Sequence, residues 1–235
     1  MKERWKRWLA VVLFATAMAW VEAAVVLYLR LISGHMDPYQ ARPLPDIPGL
    51  QRTEMLREAA TMFMLGCVGW IAGKAWRTRL AYLLIAFGAW DIFYYLFLKI
   101  LTGWPRTLLD WDILFLIPLP WWGPVLTPMS VAALMVLFGT LCTSDERPLW
   151  PSGRSIWLSM CGIGVLLWAF MFDAVKLLCR GADFITIRDW LPKSFPWALF
   201  SVGLALAAVP SFDLTLRLIA RSGLTSTTRG RESHE

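Results

Sequence analysis

Six apolar stretches, each long enough to cross a bilayer, take up most of this chain and leave mainly short polar links between them. A hydrocarbon core about 30 Å thick needs roughly 20 consecutive apolar residues in a helix. Within lipid every backbone polar group must be satisfied internally, so spanning segments are helices or closed barrels, and runs of this length select helices. The spans fall at about residues 8–29, 54–74, 80–101, 123–142, 156–178 and 195–219. The expected fold is an all-α, polytopic integral membrane bundle of six transmembrane helices, forming one domain over 1–221. Residues 222–235 are polar and read as a disordered cytoplasmic tail.

Composition agrees, with 57% hydrophobic and only 17% charged residues, outside the range of an ordinary soluble domain. The net charge of +6 does not point to nucleic acid, because the basic residues sit at the ends of the apolar runs, where they set topology. Thirteen lysines and arginines lie on the side of the N-terminus and ten on the other, which favours both termini in the cytoplasm of a bacterial-type inner membrane. The N-terminal stretch looks like a signal peptide, with Ala17 and Ala19 in an AxA pattern. Its apolar run continues to Leu29 before Arg30 closes it, so it reads as an uncleaved first helix.

Cofactor chemistry finds little support. Cys67, Cys142, Cys161 and Cys179 lie in or at the ends of separate apolar runs without CxxC spacing and read as small packing residues. With His35 and His234 the only histidines, bis-histidine haem and histidine-rich di-iron sites are disfavoured. The nucleotide, zinc-protease and serine-hydrolase motifs are missing from the sequence. No cofactor or metal is expected.

The stretch from Leu80 to Pro128 holds the unusual chemistry. Asp91 interrupts an apolar run and shares a helix face with Tyr94 and Tyr95 at i, i+3 and i+4, and Lys99 ends the run. After Asp110 and Asp112, the prolines at 118, 120, 124 and 128 break the helical ladder. We expect a short helix over about 110–117 and an unwound turn before the fourth span, either interfacial or re-entrant. Residues 31–53 read as an irregular proline-rich loop, Thr53 as the N-cap of the second helix, and Gly69 with Gly73 as a face for close approach of a neighbouring helix. Ser194 and Pro196 open the sixth helix, and Asp213 with Arg217 reads as an ion pair at its cytoplasmic end.

Alternating topology brings several polar residues to one level in the outer half of the membrane: Glu22, Arg57, Glu58, Asp91, Tyr94, Tyr95, Asp112, Asp173 and Lys176. A charge at the bilayer centre costs about 2.5 to 3.5 kcal/mol on insertion scales, so such groups face the bundle interior and pair. A faint repeat supports convergence: the segments beginning at Ala19, Ala89 and Ala169 each place an acid just after an alanine-aromatic pair and a base seven or eight residues later. Plainer readings compete. Asp91 with Lys99 or Arg57 would be a register-fixing ion pair. Tyr94, Tyr95, Trp104, Trp111, Trp121 and Trp122 would be belt residues at the membrane surface. Glu54 and Glu58, with His35 and Asp37, would hold a hard cation, although Arg57 is the cheaper partner.

Three functions follow. The first is an outward-facing binding or transport pocket for a proton, a cation or a small amphipathic ligand. The second is a structural subunit, packing on partner membrane subunits or on a second copy of itself through its aromatic surface and the Gly69 and Gly73 face. The third is a lipid- or prenyl-modifying enzyme using carboxylate acid and base chemistry. Beyond the bilayer itself, the partner is unspecified, and the first reading is preferred.

Overall fold

The computed structural model describes residues 2–34, 49–115, 119–144, 149–183, 186–187, 190 and 192–232. Six helices, all long and apolar enough to cross a membrane, form a nearly all-α bundle: α1 (Lys2–Ser33), α2 (Leu50–Ala72), α3 (Trp76–Thr102), α4 (Leu126–Thr143), α5 (Gly153–Cys179) and α6 (Trp197–Glu232). The expected loop falls largely on residues 35–48, and these, with His35 and Asp37, lie outside the described residues.

Local chemistry sets the helix ends. Gly49, at φ 82°, precedes α2, so Thr53 is not the N-cap; it lies one turn inside, and its hydroxyl donates to the Gly49 carbonyl at 3.0 Å. Gly103, at φ 74°, stops α3, where the left-handed conformation favours a residue without Cβ. Ser152 caps α5 by accepting from the Ser155 N–H at 3.2 Å, and Pro196 stands immediately before α6. At the other end α6 runs through Glu232, where the sequence suggested a disordered tail beyond Arg221. The Asp213–Arg217 pair forms at 2.8 Å, and Asp213 also accepts from the Ser152 N–H at 2.8 Å, tying α6 to the start of α5.

α3 is the middle of the bundle. It packs against α1, α2 and α4, and α4 hands on to α6, which pairs with α5. Its core side is made of Tyr82, Ile85, Ala86 and Ala89, set against Ala15 and Ala19 of α1 and Leu65 of α2. In lipid no hydrophobic force drives helices together, so close van der Waals approach over small residues does that work. A Cβ on Gly88 would lie 2.4 Å from the Ala132 carbonyl oxygen, and one on Gly139 would lie 2.5 Å from that of Ala81, which fixes α3 against α4. Gly69 and Gly73 do admit a neighbour, and it is α3 of the same chain: a Cβ on Gly69 would sit 2.8 Å from Leu83 and one on Gly73 2.3 Å from the Arg79 nitrogen. That face is therefore filled, and does not serve for docking a partner.

The proline-broken segment corrects the expectation of a short helix over 110–117. It forms an antiparallel hairpin, β1 (Trp111–Phe115) with β2 (Trp121–Pro124), pairing Trp111 with Pro124, Asp112 with Gly123 and Ile113 with Trp122. The run WDILF is rich in aromatic and branched residues, which suit a strand. Once the prolines bar a helix, cross-strand pairing is the remaining way to satisfy buried backbone groups. Pro124, which has no N–H, sits at the end of the ladder, and the next donors are used outside it: Val125 N–H to the Asp110 carbonyl at 2.9 Å and Leu126 N–H to that of Leu108 at 2.8 Å. The hairpin packs on α4 and α5. Trp104 and Trp122 are each only 4% exposed, so they are core residues and not belt residues; the Arg30 guanidinium lies 4.6 Å from the Trp104 ring centroid.

Replacing Gly88 by Ala is expected to destabilise the bundle by about 1 to 3 kcal/mol through overpacking against α4. Gly66→Ala and Gly164→Ala, where an added Cβ meets nothing within 4 Å, should be neutral or slightly stabilising through helix propensity. Thermal unfolding of the three variants in one detergent checks the contrast.

Candidate functional site

Phe87, Trp90, Asp91 and Tyr94 recur at i, i+3, i+4 and i+7, so α3 turns one continuous stripe toward a single partly open cavity of about 180 Å³. α2 presents Arg57, Glu58, Thr61 and Met62 to it at i, i+1, i+4 and i+5, again one face, and α1 contributes Glu22. The hairpin supplies residues 112–115 and Trp121, and Phe170 of α5 stacks on Trp121 with centroids 6.2 Å apart and planes 8° from parallel.

Glu22, only 5% exposed, accepts hydrogen bonds from the Arg57 guanidinium and the Thr61 hydroxyl. The same guanidinium reaches Glu54 through Nη2 at 2.9 Å and Nε at 3.0 Å. Arg57 is thus shared between two carboxylates, as the cheaper-partner reading of Glu54 anticipated. A carboxylate this deep is tolerable because its charge is met and its lone pairs are filled.

On the opposite wall the buried Tyr95 hydroxyl donates to Asp112 Oδ2 at 2.9 Å, which joins α3 to β1. Burial pushes the Asp112 carboxyl up from its ordinary 3.8 to about 6, against the opposing pull of the Arg30 charge, the Tyr95 hydroxyl and the Ile113 N–H. Asp110, nearby in sequence, behaves differently. Burial raises it slightly, but hydrogen bonds from Thr107 and from the Arg106 and Thr107 backbone outweigh this and leave it below the usual carboxylate range. It accepts from Arg106 N–H and from the Thr107 hydroxyl, each at 2.7 Å, and organises the loop before β1.

Asp91 makes no hydrogen bond or ion pair with any of the described residues, although it lines the cavity. Neither expected ionic partner reaches it. Arg57 is taken by Glu22 and Glu54, and Lys99 Nζ donates to the Pro105 and Arg106 carbonyls at 2.9 and 3.2 Å. Tyr94 stacks on Trp90 at 5.9 Å and meets Tyr95 edge-on at 5.3 Å. With Tyr95 buried, a surface-belt role does not describe this pair.

Of the nine residues singled out in the sequence, Glu22, Arg57, Glu58, Asp91, Tyr94, Tyr95 and Asp112 line the cavity, and Asp173 and Lys176 do not. Asp173 lies one turn along α5 from Phe170, in a small separate recess with Trp122 and Ser194. Lys176 Nζ stands 6.0 Å from the Phe172 ring centroid. The threefold convergence suggested by the faint repeat therefore reduces to two acids, Glu22 and Asp91. Thr61, Trp90 and Trp121 line the cavity without having been singled out for it. Thr61 had a signal, lying one helical turn beyond Arg57; Trp121 had none, because its position depends on the hairpin. The indole N–H groups of Trp90 and Trp121 are buried without a hydrogen-bond partner among the described residues.

Six helices long and apolar enough to cross a bilayer define a multi-pass integral membrane protein. Comparisons with protein-family models, with curated proteins and with solved structures return no match.

Removing one member of the α1–α2 ion pair should cost more than removing both. Arg57→Met, which leaves Glu22 and Glu54 uncompensated, is expected to lose about 3 to 5 kcal/mol of stability, and adding Glu22→Gln should recover part of it; a double-mutant cycle in denaturant reads the coupling. Asp112 makes a separate prediction. Because its folded pKa of about 6 lies above the ordinary 3.8, the folded state holds the extra proton between these values. Its contribution makes stability fall as pH rises from about 4 to 6, and level off beyond. Asp112→Asn should flatten that segment of the stability-against-pH curve.

Proposed function

We propose that this protein is a membrane binding protein or carrier whose cavity receives a small ligand from the outer face. The observation that carries this reading is Asp91, a carboxylate lining an open cavity without a hydrogen bond or ion pair to any of the described residues, while Glu22 and Asp112 beside it are held by Arg57 and Tyr95. A carboxylate placed only to fix helix register would be closed on a protein partner, as Glu22 is. The shared Arg57 and the Tyr95–Asp112 bond hold the walls in place, while Asp91 is left for something that comes and goes. The excess of basic residues on the side of the termini supports the outward direction, because the cavity lies toward the C-terminal half of α3 and the hairpin that follows it. A structural subunit is less well supported, since the Gly69 and Gly73 face is already occupied by α3.

Native mass spectrometry of detergent-extracted protein tests the reading. The wild type is expected to carry a small-molecule adduct that Asp91→Asn releases while eluting as the same folded species. Protein without an adduct, or Asp91→Asn depleted only through loss of folded protein, would return Asp91 to a structural role.

A further inference from the structure

We infer that the ligand of this cavity is a monovalent organic ammonium, whose positive charge meets Asp91 and whose apolar body lies among the aromatic rings; this rests on the binding reading above and specifies its chemistry. Three observations lead there. First, the cavity holds one carboxylate that the protein leaves unpaired. Glu22 is held by Arg57, Asp112 accepts from Tyr95 and feels the Arg30 charge, and Asp91 makes no hydrogen bond or ion pair with any of the described residues. A bare carboxylate in a low-dielectric wall favours whatever brings it a positive charge.

Second, the charge is not suited to a metal ion. Among the described residues no three His, Cys, Asp or Glu side chains come close enough together to hold one. A hard cation such as Ca²⁺ wants six to eight oxygens at about 2.3 to 2.6 Å. An ammonium asks for less, namely one carboxylate and the faces of aromatic rings, whose quadrupoles attract a cation within about 6 Å. Trp90, Tyr94 and Trp121 line the same cavity as Asp91, and Phe87 and Phe170 extend the aromatic lining.

Third, size and residual polarity fit an amphipathic molecule. A cavity of about 150 Å³ holds a benzene ring, and this one, of about 180 Å³, is partly open, so a ring bearing a short charged arm is accommodated. Trp90 is 8% exposed, and its indole N–H, like that of Trp121, is buried without a hydrogen-bond partner among the described residues. These are donors waiting for an acceptor. A hydroxyl or carbonyl on the ligand body would satisfy them, which a bare proton at Asp91 would not.

The probes are benzyltrimethylammonium and its near-isosteric neutral counterpart 2-methyl-1-phenyl-2-propanol, titrated into purified full-length protein in detergent and read by calorimetry. The ammonium is expected to bind saturably and at least about tenfold tighter than the alcohol, on the scale of one desolvated cation–π contact plus a charge pair. Asp91→Asn should cut the preference for the ammonium several-fold, leaving the part contributed by the rings, and retained alcohol binding shows that the variant is folded. Should Asp91→Asn not fold, Trp121→Leu takes its place, and weakens the ammonium several-fold more than the alcohol. Equal binding of both probes by the wild type, or a preference indifferent to both substitutions, overturns the ammonium assignment and leaves a neutral-ligand pocket standing. Binding of neither probe to folded wild type overturns the assignment and the binding reading together.

Discussion

The guanidinium of Arg57, held between Glu22 of α1 and Glu54 of its own helix, is the interaction on which the cavity depends. α1 and α2 each pack mainly against α3 and touch one another little, so without a bridge nothing would fix the angle between them. The Glu22 carboxylate supplies that bridge, reinforced by the Thr61 hydroxyl. In water such a pair would be worth little. Within a bundle surrounded by hydrocarbon, leaving either charge alone is so unfavourable that the paired geometry is the one available.

The other wall is made by quite different means. Three prolines between 118 and 124 remove the helical solution there, with Pro128 accommodated in the first turn of α4, and the chain satisfies its backbone by pairing with itself across a short ladder. Gly123 makes room for that ladder to lie against α5, since a Cβ there would stand 2.7 Å from the Thr127 hydroxyl and 3.2 Å from the Phe170 ring. The hairpin then delivers Asp112 to Tyr95 and Trp121 to Phe170. One wall is thus ionic and formed between helices, the other aromatic and formed by a strand pair. Asp91 stands on α3, which packs against α1 and α2 and is joined to the hairpin by the Tyr95–Asp112 hydrogen bond.

Several elements are legible in the sequence. The six spans, the Asp213–Arg217 pair and the cheaper pairing of Glu54 with Arg57 follow from local rules of length, spacing and charge, and seven of the nine polar residues placed at one level line the same cavity. What was misread involved partners distant in sequence. Asp173 has the same local signature as Glu22 and Asp91, yet it lines a separate recess with Trp122 and Ser194. Trp104 and Trp122 have the composition of belt residues and are buried, one beneath Arg30 and the other in the hairpin. A strand replaces the expected short helix before α4 because strand formation needs a second strand, and pairing between two strands this short leaves no periodic trace along the chain.

By itself the sequence determined that this chain lives in a membrane, where its helices lie, and that a few charges must be turned inward, because transfer energies act residue by residue and need no knowledge of neighbours. Only the tertiary structure decided which of those charges find each other and which is left over. That outcome depends on helix rotation and on close approach at Gly88 and Gly139, set by contacts between residues dozens of positions apart. Glu22 and Asp91 look alike along the chain; one is neutralised by Arg57 and the other faces open space because of where α2 happens to stand.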